Sequence, residues 1–432
     1  MPQKLIDQTT IQPDGSPGDD AFTAFAICND NFEDAEARLV LLESGGGEIG
    51  GRLDNEITER TAADAALGAR IDAEHSLITQ ETADRITAVQ AEATARANVD
   101  TALGLRILGK NGFINGDFEW WQRGTTFNGA GYTADRWYFN AGGVASPNVV
   151  RNPIAPGQFP NIKAPAFARV RYGAISDAAA HFVVYEQLIE GANTYAGQQV
   201  TVSFKVFNSG AAGRQIALEV RQNFGSGGSA TVSGIGAKKF ALAAGINSIT
   251  HTVNVPSVAG KSFGANNSLG FALWASAGTN WNARSDSLGA QSGDVHFTEV
   301  QIEPGAIATE FERVPKALSL MQCQRYCYPY EVMSGGGFTT AIGLGNSQIL
   351  AFLELPVTMR AMPSATSVLG APTLTGAGSS GAGAASGQNY IPVSSQRVAL
   401  VATFSGFTVT PNAVGYLGAG PQGYKVIMDA EL

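Results

Sequence analysis

The sequence predicts a mainly β protein with an N-terminal trimeric coiled coil, then a jelly-roll-like β-sandwich and a smaller C-terminal β domain. Three observations carry this. Residues 48–108 hold no Pro and show one thin apolar seam. From Lys110 onward the hydrophobic period changes to two, with Gly and Asn between the runs. Charge divides at the same place. Residues 1–108 hold 20 acidic and 8 basic residues, a balance of −12; the other 324 hold 17 (37 less 20) and 20 (28 less 8), a balance of +3.

Within residues 1–47, Pro13, Gly15, Pro17 and Gly18 mark turns, Ala21 to Leu42 form a short acidic helix, and Gly45–Gly47 break it. In the next segment Ile49, Leu53 and Ile57 recur every four residues, followed by Leu67, Ile71, Ile78, Ile86, Val89, Val99, Leu103 and Ile107. RTAADAALGARI at Arg60–Ile71 resembles RANVDTALGLRI at Arg96–Ile107, an offset of 36 residues. That offset is about ten turns of helix, so a seam repeating at it does not drift and the bundle is nearly straight. Ile and Val mixed with Leu favour three strands over two. A monomeric helical hairpin is the competing expectation.

Six clear period-two runs follow: Val183–Ile189, Gln199–Phe207, Gln215–Gln222, Ser248–Val255, Leu269–Ser276 and Asp294–Glu303. With no helical interlude they predict an antiparallel sandwich over 109–314. Pro315–Tyr328 predicts one short helix. Strands then resume to the C-terminus around a Gly/Ala/Ser loop at 376–387, making 315–432 a second β domain.

Composition excludes several classes. Three cysteines do not make a disulfide framework, and four scattered histidines leave little for zinc or haem. No 18-residue apolar run predicts a membrane span, and the N-terminus lacks the apolar core of a secretory leader. No basic stripe points to nucleic acid. The sequence has no G-x-S-x-G, H-E-x-x-H or GxxxxGK[ST] motif, so the expectation is a non-enzyme.

The ordered motifs INGDFEWWQRGTTF (Ile114–Phe127), YTADRWYF (Tyr132–Phe139), DVHFTEVQIEPGAIATEFE (Asp294–Glu312), CQRYCYPYE, LPVTMRAMP and the terminal DAEL resemble tail fibres and receptor-binding proteins of tailed bacteriophages. The resemblance covers most of residues 48–432. It implies a homotrimer in the virion, joined to tail or baseplate proteins through residues 1–47. Its distal β domains would recognise a host surface polysaccharide, a pilus or an outer-membrane protein. A polysaccharide depolymerase, a trimeric surface adhesin and a spacer fibre are the alternatives. The sandwich also resembles carbohydrate-binding modules, and that likeness implies a structural Ca²⁺ held by Asp117, Glu119 and Glu299.

For the ligand itself, Trp120 and Trp121 are consecutive, so a strand would turn one outward; Trp121 is the candidate platform for a sugar face. Trp281 sits in the polar loop GTNWNARSD, where Asn280, Asn282 and Arg284 supply hydrogen bonds to sugar hydroxyls. Trp137 and Trp274 have apolar neighbours and are expected in the core. Gln122, Arg123, Asp135 and Arg136 are expected to form a buried Arg–Asp link. Cys323 and Cys327, at i and i+4, are expected on one helical face as small buried hydrophobes. His75 lies near the helical seam as a hydrated, neutral imidazole.

Overall fold

The computed structural model describes residues 7, 9–11, 13, 15–106, 109–376, 383–406 and 408–432, with side chains of the first helix described as far as residue 96. Its contacts divide the chain into two units, Met1–Val99 and Asp100–Leu432. The first is dominated by one uninterrupted helix, α1 (Ala21–Arg106). The expected break at Gly45–Gly47 is therefore corrected. None of these glycines adopts a positive φ, and each costs about 1 kcal/mol of helix propensity without forbidding the helix. Threonine is accommodated in a similar way: the hydroxyls of Thr58, Thr61, Thr79, Thr82, Thr87 and Thr94 each donate to the carbonyl four residues earlier. The seam residues Ile49, Leu53, Ile57, Leu67, Ile71, Ile78, Ile86 and Val89 are all exposed in the single chain. Val99, Leu103 and Ile107 lie outside the described side chains.

The sandwich consists of two six-stranded sheets. One runs, in spatial order, β1 (Thr126–Phe127), β4 (Asn148–Pro153), β5 (Ala166–Tyr172), β12 (Gly293–Pro304), β7 (Gln199–Asn208) and β10 (Gly245–Asn254). The other runs β2 (Gly131–Tyr132), β3 (Trp137–Gly142), β6 (Phe182–Glu190), β11 (Ser268–Ala277), β8 (Gln215–Asn223) and β9 (Val232–Ala241). Neighbouring strands pair antiparallel. Their inner faces meet over Phe113, Phe118, Trp137, Tyr185 and Phe271, with Phe113 and Phe271 ring centres 4.8 Å apart. Trp137 and Trp274 are buried, as their neighbours predict.

The NGDFEWW segment is not a strand. Asn115 and Phe118 take positive φ, and the Asn115 amide pins the loop. Its Nδ2 donates to the carbonyls of Trp120 (2.9 Å) and Asp135 (3.1 Å), while its Oδ1 accepts from Trp120 N (3.0 Å). Gly116 lies hard against the Val300 carbonyl of β12, where a Cβ would collide. The opening and closing motifs of the sandwich are thus one contact.

After it comes α3 (Lys316–Gln324). A three-stranded sheet follows, in spatial order β13 (Cys327–Val332), β21 (Tyr424–Asp429) and β16 (Ser364–Leu369). Beside it is a closed barrel of β14 (Gly337–Gly345), β15 (Gln348–Glu354), β19 (Arg397–Phe404), β18 (Gly383–Ser394), β17 (Pro372–Gly376) and β20 (Val414–Ala419). The expected 376–387 loop is shorter, since β17 reaches Gly376 and β18 begins at Gly383; residues 377–382 lie outside the described set. The helix also ends earlier than expected. Cys323 is in α3 while Cys327 opens β13, so the two do not share a helical face, although both are buried free thiols.

Candidate functional site

Trp281 closes a short turn (Thr279–Trp281) ahead of α2 (Asn282–Ser285). Its indole packs down on the sandwich instead of standing free. The ring meets Phe182 edge-on at 5.3 Å and Trp274 at 5.7 Å, and Nε1 donates to the Ala180 carbonyl (3.1 Å). Arg284 is also engaged. Its Nε donates to the carboxylate of fully buried Glu219 (2.9 Å), and the guanidinium covers both indoles, 5.1 Å from the Trp274 ring and 5.4 Å from that of Trp281. This cluster covers the outer face of β11 at Ala272, Trp274 and Ala277; every residue of that strand is buried. Asn280 and Asn282 alone of the predicted set remain exposed.

Trp121 is corrected as well. It is only 9% exposed, and its Nε1 donates to the Phe118 carbonyl (2.8 Å) with the ring beside Phe127. Trp120 is half-buried and donates to the Ser319 hydroxyl of α3 (3.2 Å). A loop pinned by Asn115 does not alternate its side chains as a strand does, so the in–out argument did not apply.

The expected Arg–Asp link is larger than predicted. Asp135 is fully buried and accepts from Gln122 N (3.1 Å) and Nε2 (2.7 Å); Arg123 is 3.8 Å away. Arg123 reaches Asp429 (2.7 Å) and Glu431 (3.3 Å), and buried Arg136 pairs with Glu431. Tyr132 Oη donates to the Leu432 carbonyl (2.9 Å). The network therefore clamps the last residues of the chain onto the sandwich. Burial pushes the Asp135 carboxyl up to about 6, with Arg123 opposing it.

The residues assigned to Ca²⁺ do not fit it. The Glu299 carboxylate accepts from the amides of Lys163 and Ala164 and from Lys205 Nζ (2.7 Å), while Glu119 pairs with Lys316 (2.9 Å). Asp117 is half-buried, and the loss of solvent raises its pKa. Among the described residues no three His, Cys, Asp or Glu side chains are placed to share a metal. A cation site needs several free oxygens converging on one point, and the carboxylates of Glu119 and Glu299 are already engaged by cations and amides. His75 is exposed on α1.

Sequence reasoning missed the outer face of the sheet β4–β5–β12–β7–β10. Phe159, Phe167, Phe207 and His296 cluster there, with the rings of Phe159 and Phe207 centred 5.4 Å apart. A hollow of about 230 Å³ lies along Ser203, Lys205, Ser248 and Thr250 on β7 and β10. A second, of about 530 Å³, lies over Asn148, Arg171 and Asp294 on β4, β5 and β12. The period-two pattern could have shown these outward polar positions, but not which strands become neighbours.

No family model matches the chain, and no curated protein matches it. Among solved structures it is similar to a Stig cyclase from Fischerella sp. TAU, at 13% identity over 45% of this chain and 96% of that one, with a TM-score of 0.28. It is also similar to a family 11 carbohydrate-binding module from Clostridium thermocellum, at 9% identity over 43% and 97%, TM-score 0.25. A third is the tandem CBM22-1–CBM22-2 domain of Paenibacillus barcinonensis Xyn10C, at 12% identity over 76% and 100%, TM-score 0.25. Likeness at these scores carries no argument about what the chain binds.

Proposed function

We propose that this chain is a non-enzymatic receptor-binding fibre of a tailed bacteriophage. In this reading it is a homotrimer, held to the tail or baseplate through its N-terminal segment, and its β domains bind a glycan on the host surface. The observation that carries the reading is the bare seam of α1. Eight described aliphatic side chains recur along one 86-residue helix and find no cover among the described residues. A helix of that length with a thin stripe draws its stability from packing, and covering each Leu, Ile or Val contributes about 1.5–3 kcal/mol. Two further copies of the same stripe supply that cover.

The barrel supports the same assembly. Cross-strand register places Val414, Ile342, Leu350, Val401 and Asn389 in one row; beside it Tyr416 pairs with Thr340, and Phe352 aligns with Ala399 and Ile391. Val414 and Tyr416 are each 64% exposed. An apolar face of this extent marks an interaction surface, and the charge beside it, Arg397 over the Phe352 ring, is already paired with Glu354. Binding by three tethered heads raises effective affinity without any new contact.

Light scattering after size exclusion tests the reading. A mass near three times 44.9 kDa is expected, together with binding of the purified protein to host cells. A monomer, or a trimer that binds no cell susceptible to the phage, overturns it.

A further inference from the structure

Cross-strand register aligns Asn148, Arg171 and Asp294 in one row over three neighbouring strands, β4, β5 and β12. Their side chains line the 530 Å³ hollow together with Ser146 and Ser292. Its charges are unevenly matched. The Asp294 carboxylate is taken by Arg169, whose Nε donates to Oδ2 (2.8 Å). Arg171 is left with a 3.5 Å approach to Oδ1; its side chain is 59% exposed, and its guanidinium makes no hydrogen bond among the described residues. Arg214, at the rim, is held by the Ser292 carbonyl and the Tyr172 hydroxyl (3.0 Å). His296, next along the outer face of β12, is kept neutral by burial and by Arg169, with its pKa down at about 4. Two guanidiniums therefore share one carboxylate, with a third held close by on neutral oxygens. Beside them the Asn148 Oδ1 is buried and accepts no hydrogen bond among the described residues.

Two needs are thus unmet within one hollow. The Arg171 guanidinium shares its one carboxylate with Arg169, although its planar fork matches a carboxylate of its own. A buried amide oxygen has no donor, a costly state that a hydroxyl would relieve. We propose that this hollow binds an acidic sugar, with its carboxylate on Arg171 and a ring hydroxyl donating to Asn148 Oδ1. Ser146 and Ser292 are at hand for further hydroxyls. The volume lies within the roughly 300–1,000 Å³ of ligand pockets. The inference names the glycan class for the receptor reading above and rests on that reading for its biological role.

The test is calorimetric titration of the full-length chain with galacturonic acid, galactose and acetate. The acid sugar is expected to bind at least about tenfold more tightly than either of the others. Arg171→Ala should reduce that binding about tenfold or more, Arg171→Lys less, and Asn148→Ala should narrow the preference over acetate. Arg171 is mostly exposed, so its variants keep the fold, which an unchanged melting temperature verifies. Equal binding of galactose, equal binding of acetate, or full binding by Arg171→Ala overturns the site. Cell adsorption separates the two claims. Adsorption retained by Arg171→Ala removes this site's part in host binding but leaves the receptor reading intact; galacturonate binding by a chain that adsorbs to no host removes the receptor reading alone.

Discussion

At the scale of single residues, two buried charges make sharp predictions. Glu219 is fully enclosed and depends on Arg284 for its counter-charge. Arg284→Ala leaves a carboxylate buried with the Gly234 amide as its one remaining hydrogen-bond donor among the described residues, and should cost about 3–5 kcal/mol in chemical denaturation. A loss below 1 kcal/mol would show that Glu219 is solvated. Asp135 predicts a pH effect. Its folded pKa of about 6 lies above the ordinary value near 3.8, so the folded chain holds a proton that the unfolded chain releases. Its contribution therefore favours the fold increasingly as pH falls from 6 to 4 and is lost on the way back up, on the order of 2 kcal/mol. Thermal melts of wild type and Asp135→Asn across pH 4–7 measure it: the wild type should gain on the variant as the solution is acidified. Parallel pH profiles would contradict the assignment. Trp121 also belongs to this scale. As a core side chain, its replacement by Ala should cost about 3–5 kcal/mol, so weakened binding by that variant would report unfolding and not a lost sugar platform.

At the scale of elements, α1 and the C-terminal strand β21 each depend on what covers them. Paired Ile57→Asp and Ile71→Asp substitutions place charges in the seam. They should lower both helix content, seen by circular dichroism, and the oligomeric mass; an unchanged mass would show that the seam is not the interface. Deleting Glu431 and Leu432 removes the partners of Arg136 and Tyr132. The buried Arg136 then lacks its anion, and stability should fall by about 2–4 kcal/mol by denaturant titration. The helix was legible because its apolar residues recur at the helical period, and the longer strands because Val183–Ile189 or Ser248–Val255 alternate. Gly45–Gly47 misled because glycine is only a weak helix breaker where no turn is imposed. The NGDFEWW segment misled because Asn115 and Gly116 satisfy backbone groups locally and suspend the alternation.

At the scale of the whole molecule, the trimer mass and the host-binding assay decide the proposed function, and the acidic-sugar titration decides its chemistry. The amino-acid sequence by itself determined the division into an acidic helical part and a nearly neutral β part. It also determined the helix period and the core roles of Trp137 and Trp274, since each follows from local spacing. Tertiary structure decided the rest. It laid Trp281 over Trp274, spent the carboxylates of Glu119 and Glu299 on cations and backbone amides, and clamped Glu431 beside Arg136. It also set Asn148, Arg171 and Asp294 in one row, although Asp294 is more than a hundred residues from either. The reason is physical: periodicity records which face a residue takes on its own strand, whereas strand order and register decide which residues from distant strands share that face.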